Sequence, residues 1–267
     1  MMFPPSIFPP PLSYLQQFSL AGQVALVTGS ARGLGWEIAR AMAASGAHVL
    51  INGRDAAKAE AAAATLRTAG LAASALPFDV SDHEAMQAAF VTLDAQHGRL
   101  DILVNNVGAR IRKTLRDISP SEIRQLIDTD LVAGILLAKL ATERMARQGS
   151  GRLIAITSVV GELARVGDAV YPAAKQGLTG LMRALAAEFG PQGITSNAIA
   201  PGTFATQTNA AMVADPLIGP GLAARNPIGR WGRPEEIAGA AVFLASPAAS
   251  FINGQVLAVD GGLSVQF

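Results

Sequence analysis

A tyrosine and a lysine stand one helical turn apart in the stretch DAVYPAAKQG (168–177). The 267-residue chain contains only two tyrosines and four lysines, so the spacing of Tyr171 and Lys175 is notable. A phenol has an ordinary pKa of about 10 and is a poor base near neutral pH. A cation one turn away stabilises the phenolate and lowers that pKa. The pair suits proton transfer from an alcohol or to a ketone, although such a pair alone is usually an ordinary surface contact.

A serine ends an apolar run ahead of this pair. Ser158 closes RLIAITS (152–158), just before the segment that leads to Tyr171. Because strand ends converge on the ligand crevice of an open α/β sheet, we expect the two residues to lie close together. A serine hydroxyl there can hold a substrate oxygen on which charge develops. We therefore predict Ser158, Tyr171 and Lys175 as catalytic residues.

A glycine-rich turn follows the first apolar run of the chain. In TGSARGLG (28–35), Gly29, Gly33 and Gly35 stand where a strand turns into a helix. Glycine permits a tight turn and a close backbone approach to phosphate, and the helix N-terminus offers free N–H groups to the anion. The spacing differs from the dinucleotide fingerprint Gly-x-Gly-x-x-Gly, so the motif alone is equally consistent with a structural turn.

Arg32 and Arg54 bear on whether the bound dinucleotide would be NAD(H) or NADP(H). The second strand ends in INGRD (51–55), where an NAD site usually places an acid against the ribose 2′-hydroxyl. Here Asn52 and Arg54 come first, and Arg32 lies in the glycine turn. Guanidiniums suit a 2′-phosphate, so we predict NADP(H) rather than NAD(H). The alternative is that both arginines are solvated surface residues.

Short apolar runs alternate with longer amphipathic segments along the chain. This alternation predicts an α/β fold, a single-domain Rossmann-type doubly wound sheet of about seven parallel strands with helices on both faces. The predicted strands are 23–28, 48–51, 73–78, 101–106, 152–157, 195–200 and 255–259. The predicted helices are near 34–46, 55–69, 82–97, 120–147, 170–189 and 234–245.

Composition excludes several classes of function. The net charge of +1 has no basic face for nucleic acid, and the absence of cysteine excludes disulfides and thiolate catalysis. No apolar run is long enough to span a bilayer. Residues 1–17 are proline-rich and lack the features of a signal peptide, so we interpret them as an irregular extension ahead of one domain, 18–267. We expect a cytoplasmic protein without membrane or nucleic-acid partners.

Taken in order, the motifs resemble those of short-chain dehydrogenases/reductases over about residues 18–267. The matching pieces are TGSARGLG (28–35), FDV (78–80), NNVG (105–108), Ser158, YPAAK (171–175), PGTFAT (201–206), the stretch 229–246 and VDGG (259–262). Each piece is modest evidence by itself. The ordered set is highly specific.

The resemblance implies a role for each motif. Tyr171 would act as acid and base, Lys175 would bind the nicotinamide ribose, and Ser158 would orient the substrate carbonyl. Asp79 would face the adenine, and Asn106 would support the cofactor-binding sheet. The resemblance also implies a homotetramer and no metal. The cofactor-binding residues are predicted to be Gly29, Ser30, Arg32, Gly33, Leu34, Gly35, Asn52, Arg54, Asp79, Val80, Asn106, Gly108, Tyr171, Lys175, Pro201, Gly202, Thr203 and Thr206.

Two positions depart from the family pattern. Val107 replaces an alanine, a change that we expect to be tolerated. Asp130, in IDTDLVAG (127–134), stands where the family has a fourth catalytic residue, an asparagine whose backbone carbonyl holds a water linked to the lysine. Aspartate keeps that carbonyl but loses the amide donor and can raise the pKa of Lys175 or Tyr171. Alternatively, its side chain points elsewhere and changes little.

The substrate is less well defined by the sequence. SVVGELAR (158–165) and NNVGARIRK (105–113) resemble stretches of gluconate 5-dehydrogenases, although Gly161 departs from a serine of that subfamily. The predicted substrate-binding residues are Arg110, Arg112, Glu162 and Arg165, which could take a carboxylate and sugar hydroxyls. These charges could instead pair with one another or face water. The segment 207–228 resembles the variable lid of the family and could equally cover an apolar ketone.

Three functional hypotheses remain open. The first is an NADP(H)-dependent interconversion of a secondary alcohol and a ketone, with gluconate and 5-ketogluconate as candidate substrates. The second keeps the chemistry but changes the substrate to a 3-oxoacyl thioester, a cyclic ketone or a steroid. The third is a catalytically silent NADP(H)-binding sensor or scaffold, for which Asp130 is the only motive. A hydrolase is disfavoured because the chain has no Gly-x-Ser-x-Gly elbow.

Overall fold

Seven strands form one parallel sheet in the computed structural model, which describes residues 13–163 and 166–265. The strand order β3-β2-β1-β4-β5-β6-β7 reverses direction between β1 and β4, and this is where open α/β sheets bind ligands. The strands are β1 (Val24–Val27), β2 (His48–Ile51), β3 (Ala73–Ala75), β4 (Ile102–Asn105), β5 (Gly151–Ile156), β6 (Ile194–Pro201) and β7 (Val256–Val259).

Helices cover both faces of the sheet, as the apolar patterning predicts. Side chains of α1, α2 and α9 form one buried cluster with the strands, and side chains of α3, α5 and α6 form the other. The helices are α1 (Gly33–Ala44), α2 (Ala56–Thr68), α3 (His83–His97), α4 (Pro120–Ile127), α5 (Ala133–Gln148), α6 (Val170–Phe189), α7 (Ala210–Ala214), α8 (Gly219–Ala224) and α9 (Ala238–Ala245). The predicted fold class is therefore confirmed.

One predicted helix is wrong in its continuity. The sequence predicts a single helix over 120–147, but the structure interrupts it with a π-helical segment, Asp128–Val132, between α4 and α5. The amide of Ala133 donates to the carbonyl of Asp128, five residues earlier. Apolar periodicity does not reveal one extra residue in a turn, and such bulges often accompany functional sites. The segment holds Asp130.

The start of α4 shows why its sequence forms a helix there. The Ser119 hydroxyl accepts from the amide of Glu122, and the Glu122 carboxylate accepts from the amide of Ser119 at 2.9 Å. Together they make a reciprocal capping box ahead of Pro120, which occupies the first turn. The Lys113 ammonium and this capping hydrogen bond lower the pKa of Glu122 to about 2.

The described part of the N-terminal extension begins at residue 13. Residues 1–12 and Arg165 lie outside the described residues. Residues 13–17 are largely exposed and lead into a short 3₁₀ helix, Gln16–Phe18, whose Phe18 ring lies 6.2 Å from that of Phe243. Within the described residues, none of the helices combines the length and apolarity that a bilayer crossing requires.

Candidate active site

The carboxyl ends of four neighbouring strands bring the predicted catalytic and glycine-loop residues to one edge of the sheet. The glycine turn follows β1, Asn106 and Gly108 follow β4, Ser158 follows β5, and Pro201 ends β6. Tyr171 and Lys175 lie in the first two turns of α6. The sheet topology therefore gathers residues that are far apart in sequence.

The predicted Ser158, Tyr171 and Lys175 do meet. Hydrogen bonding between the hydroxyls of Ser158 and Tyr171 lowers the pKa of Tyr171. The Lys175 ammonium donates to the carbonyl of Ile156 at 3.2 Å and lies 5.7 Å from the Tyr171 ring centroid. Lys175 is only 3% exposed, and burial lowers its pKa. The lysine is thus fixed against the end of β5.

Asp130 points at this lysine rather than away from it. Its carboxylate Oδ1 accepts from the amide of Ala109 at 2.6 Å, and its Oδ2 lies 3.6 Å from the Lys175 ammonium. Asp130 is fully buried, and burial raises its pKa while Lys175 opposes that rise. A Cβ on Gly108 would stand 2.9 Å from the Lys175 ammonium, so glycine gives the pair its room. The alternative in which Asp130 points elsewhere is wrong.

A second ion pair lies against the phenol. The Arg110 guanidinium carbon is 4.7 Å from the Tyr171 ring centroid, nearer than the Lys175 ammonium. The Arg110 Nε donates to Asp168 Oδ2 at 2.8 Å, and Asp168 is only 2% exposed. Arg110 therefore pairs with an acid, Asp168, that was not among the charges predicted to contact substrate or one another. Arg110 still lines the cavity described below.

Burial dominates the ionisation of the phenol. It raises the pKa of Tyr171, while the charge of Arg110 is the largest opposing influence. The negative charges of Asp130 and Asp168 raise the pKa further, and the hydrogen bond to Ser158 lowers it. The predicted influence of Asp130 on Lys175 and Tyr171 has the expected direction for both residues.

The glycine turn has the shape of an anion cradle. Gly29 and Gly33 adopt left-handed φ values of 61° and 63°, which favour glycine. A Cβ on Gly35 would lie 2.4 Å from Asn106 Nδ2 and 2.6 Å from the Gly29 carbonyl. Arg32, the extended residue before α1, makes no side-chain capping hydrogen bond. No side chain at the cap position therefore occupies the first N–H groups of the helix, and they can bind an anion. These residues fit a bound pyrophosphate.

Three polar side chains support this turn from below. Asn106 Nδ2 donates to the Thr28 carbonyl at 2.9 Å, which agrees with its predicted supporting role. Asn52 donates to the carbonyls of Leu76 and Phe78 and accepts from the amide of Gly29 at 3.1 Å. The fully buried Ser30 hydroxyl donates to the Val27 carbonyl. A direct contact of Ser30 or Asn52 with a cofactor stays a prediction.

The predicted 2′-phosphate site is open but has one acid nearby. Arg32 and Arg54 are exposed, and Arg54 has an 81% exposed side chain. The Asp79 carboxylate lies 3.8 Å from the Arg54 guanidinium, so one acid approaches this arginine. Asp79 itself accepts from the amide and hydroxyl of Ser81. Water screens so exposed a pair, which leaves Arg54 able to take a phosphate.

The other predicted cofactor contacts differ in their accessibility. Val80 is buried in the core beneath Asp79, whereas Leu34 is partly buried at the start of α1. The loop of Pro201, Gly202, Thr203 and Thr206 is held by neighbours: the Gly202 amide donates to the Val259 carbonyl at 3.0 Å, and the Asn226 amide group donates to the Thr203 hydroxyl at 2.7 Å.

A cavity opens beside Ser158 and shows residues that the sequence did not single out. Its polar lining comes from Ser158, Thr203 and the guanidiniums of Arg110 and Arg225. The remaining lining is apolar or glycine, from Val159, Val160, Leu163, Gly202, Leu222 and Leu263. Arg225 belongs to the predicted lid, in which it and Asp215 are the only charged residues. Asp168 lies three residues ahead of Tyr171 in sequence, but only the fold shows that it pairs with Arg110.

The remaining predicted substrate residues lie on the surface or outside the described residues. Arg112 and Glu162 are both exposed. Arg165 lies outside the described residues. A contact of any of the three with substrate stays a prediction.

Comparisons with known proteins agree with this geometry. A family model described as enoyl-(acyl carrier protein) reductase matches residues 29–264. Gluconate 5-dehydrogenase from Gluconobacter oxydans is 41% identical over 95% of this chain and 99% of its own length. 5-Keto-D-gluconate 5-reductase from Escherichia coli K12 is 38% identical over 93% of this chain and 98% of its own.

A solved structure gives the same result. The crystal structure of a gluconate 5-dehydrogenase from Burkholderia cenocepacia in complex with NADP and tartrate superposes with a TM-score of 0.92. It is 40% identical and covers 96% of this chain and 100% of that one. With its glycine turn, its Ser158–Tyr171–Lys175 site and these relatives, the chain belongs to the short-chain dehydrogenase/reductase family.

Proposed function

We propose that the protein is an NADP(H)-dependent oxidoreductase that interconverts a secondary alcohol and a ketone, with D-gluconate and 5-ketogluconate as its candidate substrates. The observation that carries this proposal is the meeting of Ser158, Tyr171 and Lys175 beside the glycine turn and a cavity. One relative is named a gluconate 5-dehydrogenase and another a 5-keto-D-gluconate 5-reductase, which are the two directions of this interconversion.

The proton chemistry belongs to the chain's own side chains. Bound NADP(H) would supply or accept the hydride at its nicotinamide ring. The Tyr171 hydroxyl would give its proton to the ketone oxygen in reduction and take a proton from the alcohol in oxidation. Ser158, whose hydroxyl lowers the pKa of Tyr171, would hold the same oxygen while charge develops on it. Lys175 and Asp130, whose charged groups lie 3.6 Å apart, would set the charge and supply hydrogen-bonding groups near the phenol.

A sugar acid fits the charge of the cavity. Arg110 and Arg225 both line it, and guanidiniums are well suited to a carboxylate. One of them, Arg110, is already paired with Asp168, so Arg225 is the cation with the greater freedom to meet a substrate carboxylate. Arg112, Glu162 and Arg165 remain predicted contacts.

A second candidate keeps the chemistry and changes the substrate. The valine and leucine lining of the cavity favours an apolar ketone, such as a 3-oxoacyl thioester, a cyclic ketone or a steroid. The third hypothesis, a silent NADP(H)-binding sensor or scaffold, rests on Asp130, whose carboxylate compensates the charge of Lys175.

Initial rates on a substrate panel test these proposals together. D-Gluconate, a cyclic secondary alcohol and a hydroxysteroid are oxidised with NADP⁺ and with NAD⁺, and a 3-oxoacyl thioester is reduced. We expect gluconate with NADP⁺ to be fastest, and Arg54→Ser to lose at least about tenfold in kcat/KM for NADP⁺ only, because one charge-assisted hydrogen bond contributes about 1.5–3 kcal/mol. Arg40→Ser is the control, since Arg40 pairs with Glu37 on α1. Faster turnover of an uncharged substrate would overturn the sugar-acid assignment.

We also propose a cytoplasmic homotetramer with no nucleic-acid or membrane partner. The family resemblance supports the assembly, and exposed apolar side chains on α5 and near β7 fit it: Ile135 is 42% exposed and Phe251 is fully exposed.

A further inference from the structure

The resting charge around Tyr171 differs from a simple tyrosine–lysine pair. The ionisable groups that face the phenol are Arg110 from the loop after β4, Asp130 from the π-helical segment, Asp168 from the loop before α6, and Lys175 from α6 itself. Lys175 has a counter-charge, because the carboxylate of Asp130 lies 3.6 Å from its ammonium in a fully buried setting. Its field at the phenol is therefore partly cancelled.

Arg110 is placed to supply the positive charge at the phenol that Asp130 cancels at Lys175. Its guanidinium carbon lies 4.7 Å above the Tyr171 ring, within the range of a cation–π contact, and its side chain is only 24% exposed. A cation in that position attracts a phenolate more strongly than a neutral phenol, because the ionised ring carries a full negative charge. Burial strengthens the effect by excluding water.

Asp168 fixes this cation in place. It accepts from both Nε and Nη2 of Arg110, with the Nε bond at 2.8 Å. Such two-nitrogen contacts orient a guanidinium as well as attract it. Asp168 lies 2% exposed in the loop just before α6, three residues ahead of the tyrosine. The anchor and the phenol therefore belong to one short stretch of chain.

We propose that Arg110, anchored by Asp168, is a positioning residue that stabilises the phenolate form of Tyr171, a role that complements the charge-compensated Lys175. This inference rests on the proposed function, in which Tyr171 transfers the proton. It makes Arg110 act through the tyrosine, whatever contact it also makes with a substrate.

A titration of the phenol without substrate tests the inference. The chain has two tyrosines, and Tyr14 is 87% exposed near the N-terminus. In a Tyr14→Phe background, 3-fluorotyrosine incorporation places a single fluorine at position 171, and ¹⁹F NMR follows its ionisation as the pH rises. Fluorination lowers the phenol pKa and so brings the transition to lower pH. Circular dichroism at each pH confirms that the fold persists.

The two members of the pair should move the midpoint in opposite directions. Arg110→Gln removes the cation and should raise the midpoint by about one pH unit or more. Asp168→Asn keeps an acceptor for the guanidinium but removes a negative charge, and should lower the midpoint. Arg110→Lys, which retains a charge, should shift it less than Arg110→Gln. A structural disturbance without a charge effect would shift the titration midpoint in the same direction in Arg110→Gln and in Asp168→Asn.

Arg144 provides a matched control. Its guanidinium carbon lies 4.9 Å from the Phe90 ring, and it binds both oxygens of Asp94 at 2.8 and 2.6 Å. Arg144→Gln therefore removes the same kind of contact between α5 and α3, away from Tyr171, and should leave the midpoint unchanged.

The outcomes separate this inference from its rivals. A shift below about 0.3 pH unit in Arg110→Gln, or shifts of the same sign in Arg110→Gln and Asp168→Asn, would overturn it. If Arg110 only binds substrate, its loss would raise KM for gluconate and leave this titration unchanged, which also overturns it. Shifted titrations in a chain that turns over no carbonyl would contradict the proposed function instead.

Discussion

Two ion pairs, Arg110–Asp168 and Lys175–Asp130, lie beside the phenol of Tyr171. Arg110 lies 4.7 Å from the centroid of its ring and is held by Asp168, whereas Lys175 pairs with Asp130 and donates to the carbonyl at the end of β5. The sequence could predict Tyr171, Lys175 and Ser158, because their types and spacing point to one chemistry. It could not predict that Arg110 meets Asp168, because they lie 58 residues apart and only the fold brings them together.

Removing the negative charge of Asp130 should move the pH profile of the reaction. Asp130 raises the pKa of both Tyr171 and Lys175, so Asp130→Asn should lower both. Alcohol oxidation needs the ionised phenol, so the rising limb of log kcat/KM against pH should move to lower pH by about one unit. Stopped or continuous NADPH absorbance assays across the pH range measure this.

Asp128→Asn is the control for that variant. Asp128 is exposed and lies in the same π-helical segment, so its loss should leave the limb unchanged. A limb that moves to higher pH in Asp130→Asn would show that the carboxylate acts by positioning Ala109 and Lys175 rather than by its charge.

At the scale of elements, the glycine turn depends on a contact that a methyl group would destroy. A Cβ on Gly35 would meet Asn106 Nδ2 at 2.4 Å and the Gly29 carbonyl at 2.6 Å. Gly35→Ala should therefore distort the turn and weaken NADP⁺ binding by at least about tenfold, since overpacking costs about 1–3 kcal/mol. Fluorescence titration with NADPH measures the affinity.

Gly180→Ala provides the comparison. Gly180 is also helical, but a Cβ there meets nothing within 4 Å. It should keep NADPH affinity and leave stability the same or slightly higher. Equal binding in both variants would mean that the turn does not hold the cofactor.

The capping box at the start of α4 should contribute measurably to stability. Ser119→Ala removes the hydroxyl that accepts from the Glu122 amide and should lower the free energy of unfolding by about 1 kcal/mol. Because the folded pKa of Glu122 is lowered to about 2, its contribution is present above the ordinary value of 4.5 and is lost as the pH falls toward 2. Urea unfolding at neutral and acidic pH measures both.

A conservative change should restore this cap. Ser119→Asp keeps an oxygen acceptor at the position and should retain the stability of the parent. If Ser119→Ala and Ser119→Asp lose equal amounts, the capping hydrogen bond is not the cause.

The strands and the interrupted helix show which elements apolar patterning can predict and which it cannot. Strand alternation and apolar spacing predict every strand to within a few residues, because burial on both faces of a parallel sheet leaves a clear signal. The interruption at Asp128–Val132 leaves none, because the buried positions from α4 through α5 recur every three or four residues, as they would in one continuous α-helix. The position of Asp130 against Lys175 depends on that interruption and therefore required the structure.

At the scale of the whole molecule, the exposed apolar side chains predict assembly. Ile135 and Val132 are 42% and 37% exposed beside the π-helical segment, and β7 is the last strand at one edge of the sheet. We expect light scattering to give the mass of four chains, and Ile135→Arg to reduce it. Val91→Arg, on α3, should leave it unchanged although Val91 is 65% exposed. A monomeric parent chain would contradict this expectation.

The most direct test of the central claim is the rate of NADP⁺-linked D-gluconate oxidation by the parent chain and by Tyr171→Phe, at mildly alkaline pH. Phenylalanine keeps the ring that contacts Arg110 and removes only the hydroxyl. If Tyr171 transfers the proton, the parent should turn over gluconate and the variant should lose about 10²–10⁴-fold in kcat while still binding NADPH. A variant that retains activity within a few-fold of the parent would contradict the assignment of Tyr171 as the acid and base.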